Sequence, residues 1–523
     1  MFKKSKESID KNSEPVQHEK GASDKKPETE SIPMSIDAVK AELKQTFALC
    51  SDFVMREIVF GKSKTRIIIT FIDGFVDKQI LDQSVMSPVL GFNGDIGKSV
   101  LNTLKEEVIA NCALSELNTF SDAVDNICIG EAVVFIDGGS KAFKIGVKSP
   151  EKRAVEQPDT EVSIKGPREG FTENLRTNTI LLRRKIKNAD FKIESMKIGK
   201  VTKTEVAICY IGGIAKEEIV NEVKNRISKI ERDSLIGSGY IEQHIEDGMA
   251  PFFPMVGNSE KPDKVTGKLL EGRVAVIVDG TPTVLTVPFL FIETIQTSED
   301  YFGEYYFTSF IRILRLAALF VSTYLPALYV ALTAFHHTVI PFKLILTMAA
   351  SREGIPFSSF TEAILMTITF EILREAGVRM PRAIGQAVSI VGAIVLGDAA
   401  ISAGIASAPI VIVVSLTGIC SFINPPLMKP VVVLRIMLLI ASNFLGLFGI
   451  GILSIGVLIY LCKKRSFGIP YLTPFSPLHT DDLKDALIVV PVWAMITRPK
   501  ALSQSGNLIR SKGKAFSRKE EKK

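Results

Sequence analysis

Almost all long uncharged runs in this sequence lie after Leu316, and the first of them has the length of a membrane span. This run, Leu316–Phe335, contains no charged residue. At a rise of 1.5 Å per residue, about 20 helical residues cross a hydrocarbon core of about 30 Å. The mean hydropathy is +0.24 although 23% of residues are charged, so the apolar content is concentrated in one region. The sequence predicts an integral membrane protein whose membrane domain, 311–462, has four to six helical segments.

The remaining apolar segments leave the number of spans open. They are Ala363–Glu375, Ala383–Gly397, Ala399–Met428 and Ile436–Cys462. Five full spans would put the C-terminus outside, whereas the Lys-Lys-Arg triplet at 463–465 and the basic tail indicate a cytosolic C-terminus. We prefer an even count. It follows if Ala363–Glu375 is re-entrant, or if Val431–Leu461 folds as a hairpin near Gly446–Gly451.

The N-terminal half carries no sequence signal for export. Residues 1–33 are rich in Lys, Glu, Ser and Pro, so they are predicted to form a disordered charged tail. They contain no apolar signal-peptide core. Arg312 and Arg315 stand just before the first span and mark its cytosolic end. We therefore expect the soluble half and the basic tail, 463–523, to be cytosolic.

Two cytosolic α/β lobes are predicted, over 34–150 and 171–300, with a polar linker at 151–170. Runs rich in β-branched residues meet an Asp-Gly turn in three places: Arg66–Gly74, Glu131–Val147 and Gly272–Pro288. This recurrence favours two related lobes, although Asp-Gly is also a common turn in its own right. The predicted fold class is a two-lobed α/β soluble region followed by an α-helical polytopic membrane domain.

Several classes of function find no support in the residues. The sequence has no P-loop, no dinucleotide-binding glycine motif, no HExxH and no GxSxG. Its six cysteines form no CxxC pair and it has only five histidines. The net charge of +6 is spread out, which argues against nucleic acid as a partner. We predict no enzyme activity, no cofactor and no metal site.

Charged residues inside the apolar half are the candidates for function. They are Glu371, Arg374, Glu375, Arg379 and Asp398. Charges within a membrane are costly unless they are paired or hydrated, so they usually face the protein interior or a water-filled path. One reading is a polar ion path. The other, equally weighted, is a set of ion pairs, Glu371–Arg374 and Glu375–Arg379, that fix helix packing.

Long motifs in both halves resemble one known family. In the apolar half they are PALYVALTAFHHTVIPFKLI and the run from PFSSFTEAILMTITFEILREAGVRMP to IVVSLTGICSF. In the soluble half they are FIDGFVDKQI, GFTENLRTNTILLRRKI, SGYIEQHIEDG and LLEGRVAVIVDGTPTVLTVP. Together they resemble the A subunit of the GerA family of spore germination receptors. The resemblance extends from about Phe47 to Pro499.

The resemblance implies a place in the inner membrane of an endospore. Such a subunit is expected to assemble with a transporter-like B subunit and a lipoprotein C subunit, and to form a homo-oligomer around a nutrient-gated ion channel. The five charged candidates would then line or support the ion path. Pro326 is expected to kink the first span, and Gly392, Gly397, Gly404 and Gly418 would permit close helix packing or gating. The basic tail would also attract membrane lipid.

Three alternatives remain at this stage. A membrane protein related to the stage V sporulation A operon has the same fold and assists ion release during germination. A secondary transporter would show an inverted repeat in the membrane half, and none is visible. A structural scaffold would need its membrane charges only for folding.

Overall fold

The structure is a computed structural model that describes residues 31–62, 64–92, 114–148, 161, 165–248, 251–380, 395–480, 482–504 and 509. Residues 1–30 of the predicted disordered tail, most of the predicted linker and Gly392 lie outside these residues. Ile32, which was predicted to belong to that tail, is instead buried in the core of the first lobe.

The first lobe is a five-stranded antiparallel sheet with helices. Its strands are β1 (Phe53–Phe60), β2 (Thr65–Ile72), β3 (Leu114–Leu117), β4 (Ala132–Ile136) and β5 (Ala142–Ile145). Its helices are α1 (Ile36–Thr46), α2 (Lys78–Leu81), α3 (Ser87–Gly91) and α4 (Phe120–Ile129), with a π-helical turn, Asp82–Met86, between α2 and α3. The strand order is β1-β2-β4-β5-β3.

The second lobe repeats this sheet. Its strands are β6 (Phe191–Ile198), β7 (Thr204–Ile211), β8 (Gly257–Ser259), β9 (Val274–Val278) and β10 (Val284–Val287), in the order β6-β7-β9-β10-β8. Its helices are α5 (Leu175–Lys185), α6 (Glu217–Ser228), α7 (Ser238–Ile245) and α8 (Pro262–Leu270). Position for position, the two strand orders are the same.

Two of the three Asp-Gly turns, Asp137-Gly138 and Asp279-Gly280, make the same contact with a helix in the two lobes. In the first, the backbone N–H of Ile36, at the start of α1, donates to Asp137 Oδ1 at 3.1 Å. In the second, the N–H of Leu175, at the start of α5, donates to Asp279 Oδ1 at 3.1 Å. Each carboxylate accepts a hydrogen bond from a helix N-terminus, where the first N–H groups lack partners. The recurrence is therefore more than a shared turn type, and the lobes are structurally related.

A buried ion pair joins the lobes. Arg183 of α5 contacts Asp52 of the first lobe, with Nε to Oδ2 at 2.6 Å and Nη2 to Oδ1 at 2.8 Å. Both side chains are almost fully buried. The N–H of Ser51 also donates to the carbonyl of Ile193 on β6 at 2.8 Å. A bidentate pair of this kind fixes orientation as well as distance, so the lobes meet in a defined register.

The helical half follows the second lobe. It contains α9 (Tyr305–Ala334), α10 (Phe342–Ser351), α11 (Ser359–Arg379), α12 (Ala408–Ser421) and α13 (Met428–Lys463), and residues 395–402 are also helical. Within the described residues, two stretches are long and apolar enough to cross a membrane, Tyr305–Ala334 and Pro425–Lys463. The order of an α/β region followed by a helical region confirms the predicted fold class. Helix α9 begins at Tyr305, before the predicted boundary at 311, and it continues through Pro326.

Helix α13 is a hairpin rather than one straight rod. Gly446 interrupts it with φ 57° and ψ −139°, which is not a helical conformation. A Cβ on Gly446 would lie 3.1 Å from Phe335 Cβ, at the end of α9 that is remote from the soluble half, here called the far end. Asn424, just before α13, donates to the carbonyl of Arg315 at 3.0 Å, while Tyr460 near its end accepts from the backbone of the second lobe at 3.2 Å. Both ends of α13 therefore lie beside the soluble half, as in the hairpin considered for Val431–Leu461, which was one of the two routes to an even number of spans.

Residues 465–504, here called the C-terminal segment, pack on the second lobe. Two short strands, β11 (Arg465–Ser466) and β12 (Ile469–Pro470), follow α13 directly. Phe467, Ile469, Ala486 and Leu502 are buried in the core of the second lobe. The sequence analysis predicts that this part of the chain belongs to a basic tail, 463–523. Its apolar side chains instead complete a core that the second lobe alone leaves open.

Candidate functional site

One backbone carbonyl of α9 has no helical donor and is bound by a side chain of α13. Pro326 lies inside α9, and proline has no N–H to offer the carbonyl four residues earlier, that of Ser322. Arg435 Nε donates to this carbonyl at 2.8 Å, and Arg435 is 1% exposed. An unpaired carbonyl is costly in apolar surroundings. The proline in one helix therefore explains why a buried arginine in another is tolerated.

Arg435 also joins a buried cluster with two residues of α11, here called the inner cluster. Its Nη1 lies 3.3 Å from Glu371 Oε1, and Arg374 Nη2 lies 2.5 Å from Glu371 Oε2. Two guanidinium groups thus share one carboxylate. Arg374 Nη1 and Arg435 Nη2 are buried and have no hydrogen-bond partner among the described residues. With two guanidinium groups and one carboxylate, the inner cluster has a net positive charge.

A second cluster lies at the far end. The Glu362 side chain of α11 is fully buried and accepts from Ser407 N at 3.0 Å and Ser407 Oγ at 2.8 Å. Its other oxygen lies 3.1 Å from Arg352 Nη2, and Arg352 Nη1 donates to Ser359 Oγ. Thr333, near the end of α9, donates to the same Ser359 hydroxyl at 3.1 Å. This neutral network joins α9, α11 and the start of α12.

A third group of charges fastens α9 to the soluble half, and we call it the junction. Arg312 is fully buried; its Nε lies 2.8 Å from Asp300 Oδ2 and its Nη1 lies 3.0 Å from Asp485 Oδ1. The same Nη1 donates to the carbonyl of Asp485 at 2.6 Å. Arg315 contacts Asp300 at 2.9 Å. Burial raises the pKa of Asp485, and the Arg312 charge opposes this rise. The junction links three parts of the chain: the connection before α9, α9 itself and the C-terminal segment.

The structure brings only some of the predicted charges together. Glu371 and Arg374 belong to the inner cluster. Glu375 and Arg379 form an ion pair at 2.6 Å, but their side chains are 59% and 78% exposed. Asp398 is exposed on the helical stretch 395–402 and has no side-chain hydrogen bond or ion pair among the described residues. The five candidates thus occupy three separate places in a single chain.

The predicted glycines differ in how tightly they are packed. A Cβ on Gly418 of α12 would lie 2.2 Å from Phe370 Cζ of α11, so this glycine permits a close helix contact. Gly397 has Val411 at an ordinary distance of 3.6 Å. Gly404 has a φ of 63°, a conformation that favours glycine.

Replacing Gly418 by alanine is expected to force α11 and α12 apart, at a cost of about 1–3 kcal/mol, because the added methyl overlaps the Phe370 ring. The amount of protein in membranes and its thermal stability in detergent measure the effect. Gly456→Ala is the control, since nothing lies within 4 Å of that position. The Gly418→Ala/Phe370→Ala variant should recover much of the loss. A Gly418→Ala protein as stable as the control would contradict this packing.

Sequence reasoning missed five charged residues of these clusters: Arg435, Glu362, Arg352, Asp300 and Asp485. Arg435 is the one charge in the run VVVLRIMLLI, and it was taken as the boundary of an apolar segment instead of as a charge within one. Glu362 comes four residues after Ser358, in a pattern that also suits a helix N-terminus. A systematic search for ionisable residues flanked by apolar runs would have found the first two.

Comparison with known proteins places this architecture in a family. The family model described as "Bacillus/Clostridium GerA spore germination protein" matches residues 41–501. "Spore germination protein KA" of Bacillus subtilis (strain 168) is 41% identical over 475 residues, which cover 90% of this chain and 87% of the relative. "Uncharacterized membrane protein YfkQ" of the same organism is 43% identical over 461 residues, covering 87% and 89%.

Among solved structures, the N-terminal domain of the A subunit of the Bacillus megaterium spore germinant receptor GerK3 is similar. It is 34% identical, with a TM-score of 0.40, and the match covers 50% of this chain and 98% of that domain. The family match extends over both lobes, the helical half and most of the C-terminal segment. It confirms the resemblance found in the motifs: this chain belongs to the GerA family of spore germination proteins.

Proposed function

We propose that this chain is the A subunit of a nutrient germinant receptor in the endospore inner membrane, where copies of it assemble around a nutrient-gated ion channel. A transporter-like B subunit and a lipoprotein C subunit complete the receptor in this proposal. Membership of the GerA family supports a role in spore germination. The ion path and its gating rest on the arguments that follow.

One observation carries the proposal: Asp398 is an exposed carboxylate without a partner among the described residues, on a helical stretch rich in apolar side chains. Contact of this carboxylate with lipid chains would be unfavourable, because a charge in hydrocarbon costs several kcal/mol. Asp398 must therefore face water or another chain. In an assembly of identical subunits, a water-filled path between copies would meet both demands, and one carboxylate per copy would attract cations.

The inner cluster is suited to a supporting role beside such a path. Glu371 and Arg374 are held on α11, and Arg435 connects them to the α9 carbonyl. The buried N–H groups of Arg374 and Arg435 that lack partners among the described residues can donate hydrogen bonds to water or to an anion in their present positions. Glu375 and Arg379 extend the same helix towards solvent, and we include them as part of the support.

Contacts at the helix ends support six crossings of the membrane: α9, α11, the return of the chain from the end of α11 to the start of α12, α12 itself and the two arms of α13. Helix α11 starts at the far end, where Thr333 donates to Ser359, and α12 starts there too, where its N-cap Ser407 contacts Glu362. The segment after α12 returns to the soluble half at Arg315. With the α13 hairpin added, both lobes and the C-terminal segment lie on one side. By the positive-inside rule, we assign that side to the cytosol.

The test compares two carboxylates in spores that contain the chain with its B and C subunits. Asp398→Asn should slow nutrient-triggered cation release severalfold while the level of the subunit stays normal, because only a charge in the path is lost. Glu353→Gln is the matched control, since it removes the charge of an exposed carboxylate in the loop before α11, outside the proposed path. Immunoblotting gives the subunit level, and ion-selective electrodes give the release rate.

Two outcomes would contradict the ion path. One is normal release by Asp398→Asn at a normal subunit level. The other is loss of the Asp398→Asn protein itself, because a carboxylate that faces water makes no contact needed for folding. Slowed release together with a normal level supports the proposal.

A further inference from the structure

The C-terminal segment contains an uncharged stretch that the fold holds against the start of α9. From Ala486 to Thr497 the sequence has no charged residue. The N–H of Val489 donates to Ser309 Oγ, on the second turn of α9, at 2.9 Å. Val489 and Met495 are buried. The buried side chains of Val489 and Met495 and the hydrogen bond to Ser309 therefore hold the stretch beside the first turns of α9.

The other side chains of the same stretch are large, apolar and exposed. Ile488 is 65% exposed, Val492 68% and Trp493 54%. Trp493 is the only tryptophan among 523 residues. Large apolar side chains grouped on a fixed surface mark a site that contacts a membrane or another protein.

The neighbouring turns of α9 continue this surface. Tyr306, Phe307 and Phe310 are each more than half exposed. Further along α9, Arg312 and Arg315 of the junction form ion pairs with carboxylates of the protein, so they do not require a lipid phosphate as a partner. Tryptophan and tyrosine are enriched where a protein crosses from headgroups to hydrocarbon.

We propose that residues 486–497 form an interfacial anchor, a surface that lies in the headgroup zone of the same bilayer that α9 enters. The stretch is too short to cross a membrane, but its apolar side chains can enter the boundary between headgroups and acyl chains. Lys484, which is exposed just before the stretch, can approach anionic headgroups. The inference rests on the membrane placement in the proposed function. Its consequence is that the membrane surface contacts the junction directly, through a segment that also completes the second lobe.

Trp493 provides the measurement without any label, because all tryptophan emission of the chain comes from this residue. The full chain is reconstituted into phosphatidylcholine–phosphatidylglycerol vesicles whose acyl chains carry bromine, a contact quencher, near the headgroup or near the methyl end. We expect clear quenching by bromine near the headgroup and much weaker quenching by bromine near the methyl end. The Ile488→Glu/Val492→Glu variant should lose this quenching and shift its emission to the red. Ile236→Glu, which changes an equally exposed apolar residue of the second lobe, should leave both unchanged.

Each other result overturns the anchor in a distinguishable way. If the chain floats with the vesicles but neither bromine position quenches Trp493, the surface faces water or protein. Emission that then depends on the ratio of protein to lipid would identify a second copy as the occupant. Stronger quenching near the methyl end would mean insertion deeper than the interface. A chain that fails to float with vesicles would contradict the membrane placement itself, and the proposed function with it.

Discussion

The Glu371→Ala variant is expected to accumulate poorly in spores, because it leaves Arg374 and Arg435 facing each other without their carboxylate. Both guanidinium groups lie among apolar helices: the Arg374 side chain is 16% exposed and Arg435 is 1% exposed. Removing one partner of a buried ion pair typically costs about 3–5 kcal/mol, since an uncompensated charge remains. Immunoblots of spore membranes measure the level. Glu375→Ala is the control, because its ion pair is exposed and contributes at most about 1 kcal/mol.

A second substitution separates folding from conduction. In Glu371→Ala/Arg435→Met the uncompensated charge is gone, so the protein level should recover most of the way. Adding Pro326→Ala would return an N–H donor to the Ser322 carbonyl, which Arg435 otherwise satisfies. If the level recovers and nutrient-triggered release is normal, Glu371 serves only helix packing. If the level recovers and release stays slow, Glu371 supports the ion path. A Glu371→Ala protein at the normal level would contradict the inner cluster as described.

Replacing Arg312 by methionine should detach the C-terminal segment from the start of α9. Methionine keeps much of the side-chain length but removes the contacts to Asp300, Asp485 and two backbone carbonyls. Asp300 keeps Arg315, whereas Asp485 loses its cation. We expect a loss of about 3–5 kcal/mol, as for other buried pairs from which one partner is removed. Trypsin should then cleave after Lys484 and Lys500 several times faster in intact membranes.

Arg379→Met provides the comparison for the junction, since it removes an arginine from an exposed pair. It should leave the trypsin pattern unchanged. Equal cleavage rates in Arg312→Met and the unmodified chain would show that the C-terminal segment is held by its apolar side chains alone. Phe467 and Leu502 would then be the residues to change next.

Local sequence patterns were sufficient for the soluble lobes. The β-branched runs at Asp137-Gly138 and Asp279-Gly280 form hairpins, as their sequences predict. These signals depend on residues that are close in sequence. The α13 hairpin was one of two options, and only the backbone of Gly446 distinguishes it from a straight helix.

The charged clusters could not be assembled in the same way. Glu371 meets Arg435 across 64 positions, and Arg312 meets Asp485 across 173. No periodicity links residues that far apart, so the predicted ion pairs were the local ones, at spacings of three and four. Arg435 was within reach of a physical argument, because Pro326 leaves the Ser322 carbonyl without a donor and something must supply one.

The junction also has a time order, set by the direction of synthesis. Arg312 is made 173 residues before Asp485, so at ordinary elongation rates it waits roughly 10 to 35 seconds for that partner. During this interval the helices up to α13 can insert, while the C-terminal segment does not yet exist. A ribosome that stops early would release a chain whose membrane part is present and whose arginine has only Asp300. Completion of the chain is thus what locks the first helix to the lobes, and an unfinished copy differs from a finished one at the membrane surface.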